Sequence, residues 1–415
     1  MGGITPAELA AIGGRLEGFT AEVFASLPRK DQRARGQCYL RGLMLEGRRK
    51  SMEPIAARLG GEVHYQALHH FVAVSPWDWR PVRRRLAEWL VAALAPVAWA
   101  VDDTGFPKDG DHSVGVQRQY CGTLGKTANC QLGVSVNAVT EAASCPLNWR
   151  LFVPEGWDED AMAERRAACH LPEAVRHRPK WQLALDMLDE LDRWGLRPPV
   201  LLADCGYGEV AEFRQGLDDR QIPYVVQVKA DTSAYPEQVR PMVVPYAGRG
   251  RRPQPRYRDK PPSLKQVALA AGQQACVDLI WRRGSKGLQR SRFLSLRVRP
   301  AGITPRRQAA ARAAGAGWEL PVRWLLVDWP ADKTEPVKYW LSNLPEVTPM
   351  VELVRLGKLR WRIEQDYREL KGALGLDHFE GRSFPGWHHH VTLVGVAHGF
   401  LTLERLRRPK PAASA

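Results

Sequence analysis

The rhythm of apolar and polar positions changes once, near residue 95. Upstream, "QCYLRGLMLEG" and "SMEPIAARLG" carry apolar residues three and four apart, broken at Gly47 and Gly60. That spacing predicts a helical N-terminal domain over 1–94. "VHYQALHHFVA" follows at helix-turn-helix distance, just after Arg48, Arg49 and Lys50. Such a domain is a candidate to bind DNA, with those three cations as contacts. From Pro96 the texture turns to strands. "VAWAVDD" is a buried run ending on two acids, "SVGVQRQYC" alternates in period two, and "NCQLGVSVNAV" is a third strand, which predicts a short-turned antiparallel meander. A helix over Pro179 to Trp194, a strand "PPVLLAD", a helix from about Glu209 and a strand "IPYVVQVK" predict a parallel strand–helix–strand unit. The sum is an α/β core with a mixed five-stranded sheet, its first part spanning 95–229.

Residues 230–345 interrupt the core with a Pro- and Arg-rich stretch and strand-like "RFLSLRVRP" and "VRWLLVDWP", a β-rich insertion. One long helix, about Met350 to Leu374, and another, Gly386 to Leu406, complete the core over 346–415. The longest apolar runs, Trp89 to Val101 and Val391 to Leu403, fall short of the roughly 20 residues a membrane span needs. No signal peptide is visible, and seven cysteines without a C-x-x-C pair suit a reduced, cytoplasmic setting.

Charge sharpens the picture. The chain carries a net +15, and between Tyr246 and Arg312 there are 17 Lys and Arg against Asp259 and Asp278, so 17 − 2 = +15. A cationic insertion in a near-neutral body points to a polyanionic partner. Arg249, Arg251, Arg252, Arg256 and Arg258 are its densest cluster.

The acids that end the strands supply candidate chemistry. Asp102 and Asp103 close the first strand and Asp204 the fourth. In a meander feeding a right-handed crossover these two strands can lie side by side. On the late helix "LRWRIEQDYRELKGALG", Arg360, Glu364 and Lys371 fall at i, i+4 and i+11, one stripe at 3.6 residues per turn. Three converging carboxylates can hold two hard divalent cations, for which Mg²⁺ is suited. Two such ions bracketing a phosphodiester activate a water or a 3′-hydroxyl.

Three blocks then resemble bacterial insertion-sequence transposases of the DDE superfamily: "VDDTGFPKDGDHSVGVQRQYCGTLGKTANCQLGV", "LLADCGYG" and "LRWRIEQDYRELKGALGLDHFEGRSFPGWHHH", the last similar to the Y-R-E-K signature. The resemblance implies an RNase H-like fold, with Asp102, Asp204 and Glu364 as catalytic metal ligands. It implies Mg²⁺, with Mn²⁺ able to substitute, and Arg360 and Lys371 contacting DNA phosphates. Asp103 is the alternative to Asp102. Gly357 stands where the signature has Tyr. The expected partner is double-stranded DNA, at element ends and target, with a dimer assembling on it and no membrane. The expected location is the bacterial cytoplasm, at the nucleoid. The alternatives are a nuclease of the same fold without strand transfer and a non-catalytic DNA-binding repressor.

Rival motifs are weaker. Gly206, Gly208 and Ala211 form a lone G-x-G-x-x-A that follows three strands rather than opening a domain. His378, His388, His389, His390 and His398 invite zinc, but neighbouring helix positions point apart and no Cys spacing completes a site. Phosphate contacts or plain surface is the expectation for them.

Overall fold

The computed structural model describes residues 5–242, 245, 246, 248, 249, 256–284, 287–312 and 318–407. Two compact units emerge, one of Met1–Arg197 with Trp361–Ala415 and the other of Pro198–Arg360. Each is described by itself.

The first unit opens with helices α1 (Pro6–Val23), α2 (Lys30–Met44), α3 (Met52–Arg58), α4 (Tyr65–His69) and α5 (Trp79–Leu94). Local chemistry starts them. Thr5 and Glu8 form a reciprocal capping box on α1, and the Asp78 carboxylate caps α5 by accepting from the Arg80 amide at 3.0 Å. After α4 the helix widens into one π-turn over His70–Val74.

Strands β1 (Ala98–Pro107), β2 (Gln117–Cys121), β3 (Lys126–Val139) and β4 (Ser144–Phe152) follow, then helices α6 (Ala163–Ala168) and α7 (Lys180–Arg193). All four strands are antiparallel around β3, which pairs with β1, β2 and β4. Two expectations change here. The strand does not stop at the acids: β1 runs five residues beyond Asp102, because β3 offers a partner to every one of its ten residues. And β4 is an additional strand. Its "SCPLNWRLF" mixes Pro and Asn into an apolar run and shows no clean period of two. A register shift between Val136 and Asn137 accommodates Pro146.

The second unit holds β5 (Leu201–Ala203), α8 (Cys205–Gly208), α9 (Ala211–Asp219), β6 (Tyr224–Val228), β7 (Ala234–Pro236), α10 (Leu264–Ala271), β8 (Val277–Gly284), β9 (Gly287–Pro300), α11 (Ile303–Arg312), β10 (Arg323–Asp328), β11 (Lys338–Ser342) and α12 (Met350–Leu359). β5 and β6 are parallel. The order then continues β11, β10, β9, β7 with antiparallel pairing, and β8 pairs with β9. The chain is thus mixed α/β, and a large mixed sheet is its organising element. Gly208 lets α8 sit tight on β6, since a Cβ there would come within 2.1 Å of the Gln227 carbonyl oxygen.

The first unit resumes with α13 (Trp361–Gly372) and α14 (Phe384–Arg407). A single helix over Met350 to Leu374 was expected. The structure has two, separated at Arg360, whose ψ of −24° tightens the turn. α14 is apolar on all sides and buried along most of its length. Its histidines are core, correcting the expectation of surface or phosphate contacts: His388, His389, His390 and His398 are at most 2% exposed. Polar partners make this burial tolerable. His390 Nδ1 is 2.9 Å from the Tyr39 hydroxyl, and the ring nitrogens of His389 each lie 2.8 Å from a carbonyl oxygen, of Val72 and Trp77. His388 lies 3.0 Å from buried Arg83, which also donates to Thr392 Oγ1 and the Trp149 carbonyl.

Candidate functional site

β1 divides its two adjacent acids between opposite faces, as the pleat requires. Asp102 stands opposite Ser135 on β3, and Ser135 stands opposite Trp149 on β4. These three share one face. Over it lies α13, whose Tyr367 hydroxyl meets Ser135 Oγ at 2.7 Å and whose ring packs 6.1 Å from that of Trp149. Glu364 is three residues before Tyr367, on an adjacent turn of the same helix, and is exposed. Asp103, Val134 and Arg150 form the neighbouring row on the other face. That face belongs to α7: Lys180 pairs with Asp103 at 2.9 Å and Glu190 with Arg150. So Asp102 shares a face with the helix of Glu364, whereas Asp103 faces a structural cation.

In the second unit Asp204 follows the last residue of β5 and caps α8, accepting from the Tyr207 amide at 3.4 Å. Its carboxylate therefore stands at a strand's C-terminal end. Arg360 ends α12 in that unit and is half-buried. Gly357, two turns into α12, has Trp340 at 3.4 Å and Leu326 at 3.5 Å from where a Cβ would sit. A side chain there would start in ordinary contact with both.

Lys371 lies seven residues after Glu364 on α13, close to two full turns and so on the same stripe. Its ammonium donates to the Gly105 carbonyl at 2.6 Å and to Thr123 Oγ1 at 2.7 Å, and sits over the Phe106 ring. Burial lowers its pKa, partly offset by Asp377 and the Cys121 and Cys130 thiols. Two of its three donors are therefore spent within the protein.

The cations expected to contact DNA divide unevenly. Arg48 is exposed; Arg49 is exposed and pairs with Glu380 at 2.9 Å. Lys50 must be removed from the contact set. It is 3% exposed, its ammonium donates to the carbonyls of Leu43 and Leu45, and burial lowers its pKa. Arg249, Arg256 and Arg258 are exposed, with Arg256 in a backbone bridge to Met242. Arg251 and Arg252 lie outside the described residues.

Among the described residues, no group of three or more His, Cys, Asp or Glu stands close enough to hold a metal ion, and no helix is long and apolar enough to cross a membrane. The donor chemistry of Asp102, Asp204 and Glu364 is nonetheless all carboxylate oxygen, which fits a hard divalent cation and not zinc held by sulfur or nitrogen. Sequence reasoning missed Ser135, Tyr367 and Lys180. Tyr367 was accessible from its i+3 spacing to Glu364, but Ser135 and Lys180 emerge only from register and packing.

Comparison with known proteins bears on this geometry. Residues 22–288 match the family model described as DDE superfamily endonuclease, and residues 178–399 match the transposase DDE domain. A probable transposase for insertion sequence element IS701, from Microchaete diplosiphon, is 31% identical over 193 residues, covering 46% of this chain and 47% of that protein. The chain thus spans about half the length of this curated relative. Among solved structures, a piggyBac transposase synaptic complex with hairpin DNA aligns with a TM-score of 0.37 at 10% identity, covering 96% of this chain and 80% of that chain.

Proposed function

We propose that this chain, which belongs to the DDE superfamily of endonucleases and transposases, is a DNA transposase acting on the terminal repeats of a mobile element. It hydrolyses phosphodiester bonds at the ends and joins the 3′-hydroxyl to target DNA. The observation that carries this reading is the separation of Asp102 from Asp103. One acid is directed to the helix that bears Glu364, while its neighbour is held by Lys180 on the opposite face.

Members of this family work with divalent metal ions. Asp102, Asp204 and Glu364 would hold Mg²⁺, or Mn²⁺ in its place, and the bound ions would activate the attacking oxygen and neutralise the leaving one. The chain's own groups do the rest. Tyr367, hydrogen-bonded to Ser135, fixes the rotation of α13 and hence the side on which Glu364 is presented. Arg360 offers a two-pronged donor to a phosphate, and Lys371 has its remaining N–H. Arg48, Arg49, Arg249, Arg251, Arg252, Arg256 and Arg258 supply sequence-independent phosphate contacts. In this division 1–94 binds DNA, 95–229 with 346–415 performs the chemistry, and 230–345 adds the basic surface. Two copies would assemble on a pair of ends, in a bacterial cytoplasm.

The test is a pre-cleaved end with target plasmid, with and without chelator. Joined product that depends on divalent metal supports the reading. Normal activity in EDTA overturns the metal-dependent chemistry, and cleavage that never yields joined product would leave a nuclease.

A further inference from the structure

The β2–β3 hairpin has no assigned role, yet it is fastened to the candidate catalytic elements. Thr123, in its turn, accepts from Lys371 on α13 and donates to the Gly105 carbonyl on β1 at 3.1 Å. Gly105 is three residues along β1 from Asp102, about 10 Å at strand rise. Lys371 is seven residues along α13 from Glu364, again about 10 Å at helical rise. The turn is thereby held at a similar distance from both acids.

The hairpin's two faces differ. Cys121 and Cys130 are wholly buried on one face. On the other, Arg118 stands opposite Asn129 and Tyr120 opposite Thr127. Arg118, Tyr120 and Thr127 are exposed there, Tyr120 by 64%; Leu124 is exposed in the turn, and Lys126, paired with Cys121 and so on the first face, is exposed at the turn's base. Residues 117–129 contain Arg118 and Lys126 and no acid. An exposed ring beside Arg118, with a second cation at the turn, matches a nucleic-acid strand, where phosphates meet the cations and a base or sugar meets the ring.

We infer that the outer face of the β2–β3 hairpin, through Arg118 and Tyr120, with Lys126 at the base of its turn, grips DNA beside the scissile phosphate. Tyr120 is three residues, about 10 Å, beyond Thr123, so at about 3.4 Å per base pair a total offset of up to about 20 Å puts the contact within about six base pairs of the cut. This rests on the transposase reading.

The test uses the full chain and a labelled duplex taken from the DNA flanking the reading frame, read by hydroxyl-radical footprinting and binding titration. Tyr120→Ser and the double variant Arg118→Ser, Lys126→Ser are each expected to weaken binding at least roughly fivefold. Both should lose protection within about six base pairs of the cut while distal protection persists. Tyr120→Phe should retain both, because the ring rather than the hydroxyl makes the contact. Unchanged protection in the first two variants, with the unmutated protein binding and cutting, overturns the inference and leaves the transposase reading standing. So does loss of self-association with the footprint intact, which would make the hairpin a contact between copies. Absence of binding and cutting by the unmutated protein would instead bring down the transposase reading, and this inference with it.

Discussion

Asp103 and Lys180 form an ion pair at 2.9 Å, which gives two adjacent carboxylates different surroundings. Asp102→Asn should abolish end cleavage while leaving DNA binding close to unmutated levels. Asp103→Asn should keep cleavage and cost about 1 kcal/mol of stability or less, since the pair is partly solvated. Cleavage assays and urea titrations on both variants check this. Loss of cleavage in Asp103→Asn alone would transfer the catalytic role to the neighbour.

Lys50 and the two arginines before it should separate in a salt titration. Each phosphate contact contributes about −0.9 to the log–log slope of affinity against salt. Changing Arg48 and Arg49 to Ser should flatten the slope by one to two such steps, roughly, and leave stability nearly unchanged. Lys50→Met should leave the slope alone but destabilise the fold by about 1–3 kcal/mol, because the Leu43 and Leu45 carbonyls lose their buried donor. A slope altered by Lys50→Met would return that residue to the DNA surface.

The buried histidines of α14 predict how stability responds to acid. Burial pushes His389, His390 and His398 down to about 4 from 6.5, outweighing the carbonyl contacts that raise the first two. Between those values the unfolded chain binds more protons. Stability therefore rises with pH across this window, is complete above 6.5, and is lost as pH falls toward 4. Each histidine accounts for about 2 kcal/mol of loss by pH 5. Asp366 works the other way: burial holds it up at about 7, and protonating it between pH 7 and 5 returns about 2 kcal/mol. Three against one leaves a net fall, so urea midpoints should drop between pH 6.5 and 5. A flat profile there would show that these rings are not neutral core groups.

Periodicity revealed the helical N-terminus and the strand-rich middle because each element's burial is written in its own residues. The strand continuing past Asp102 was not legible, since what extends it is the length of β3. Nor was β4, whose Pro146 is tolerated only through a shift in a distant partner strand. The three histidines in a row looked like surface because charge was read without neighbours. Tyr39, Val72, Trp77 and Arg83, which satisfy or stack on them, come from four other segments. Asp102, Asp204 and Glu364 were legible as acids at strand ends and on a helix stripe, and the family resemblance singled them out; the contact that joins the strand and helix of two of them, Ser135 to Tyr367, spans 232 residues of sequence.

Lys371 presents the sharpest choice between a structural and a DNA-contacting role. Two of its donors bind Gly105 and Thr123, which alone would suffice to keep it as a strut between α13 and β1. A phosphate clamp needs the remaining N–H and the positive charge, and such clamps matter most when a cut 3′-end must be held through a second reaction. Lys371→Met should therefore reduce joining of a pre-cleaved end to target plasmid by at least roughly tenfold, about 1.4 kcal/mol of transition-state stabilisation. Thr123→Val separates the two roles. It preserves the charge and shape while removing one acceptor, freeing a second N–H for DNA. If Lys371 acts on phosphate, Thr123→Val should join ends within about threefold of the unmutated rate, under 1 kcal/mol. If Lys371 only braces the fold, the valine variant should fail alongside the methionine one, and both should melt early.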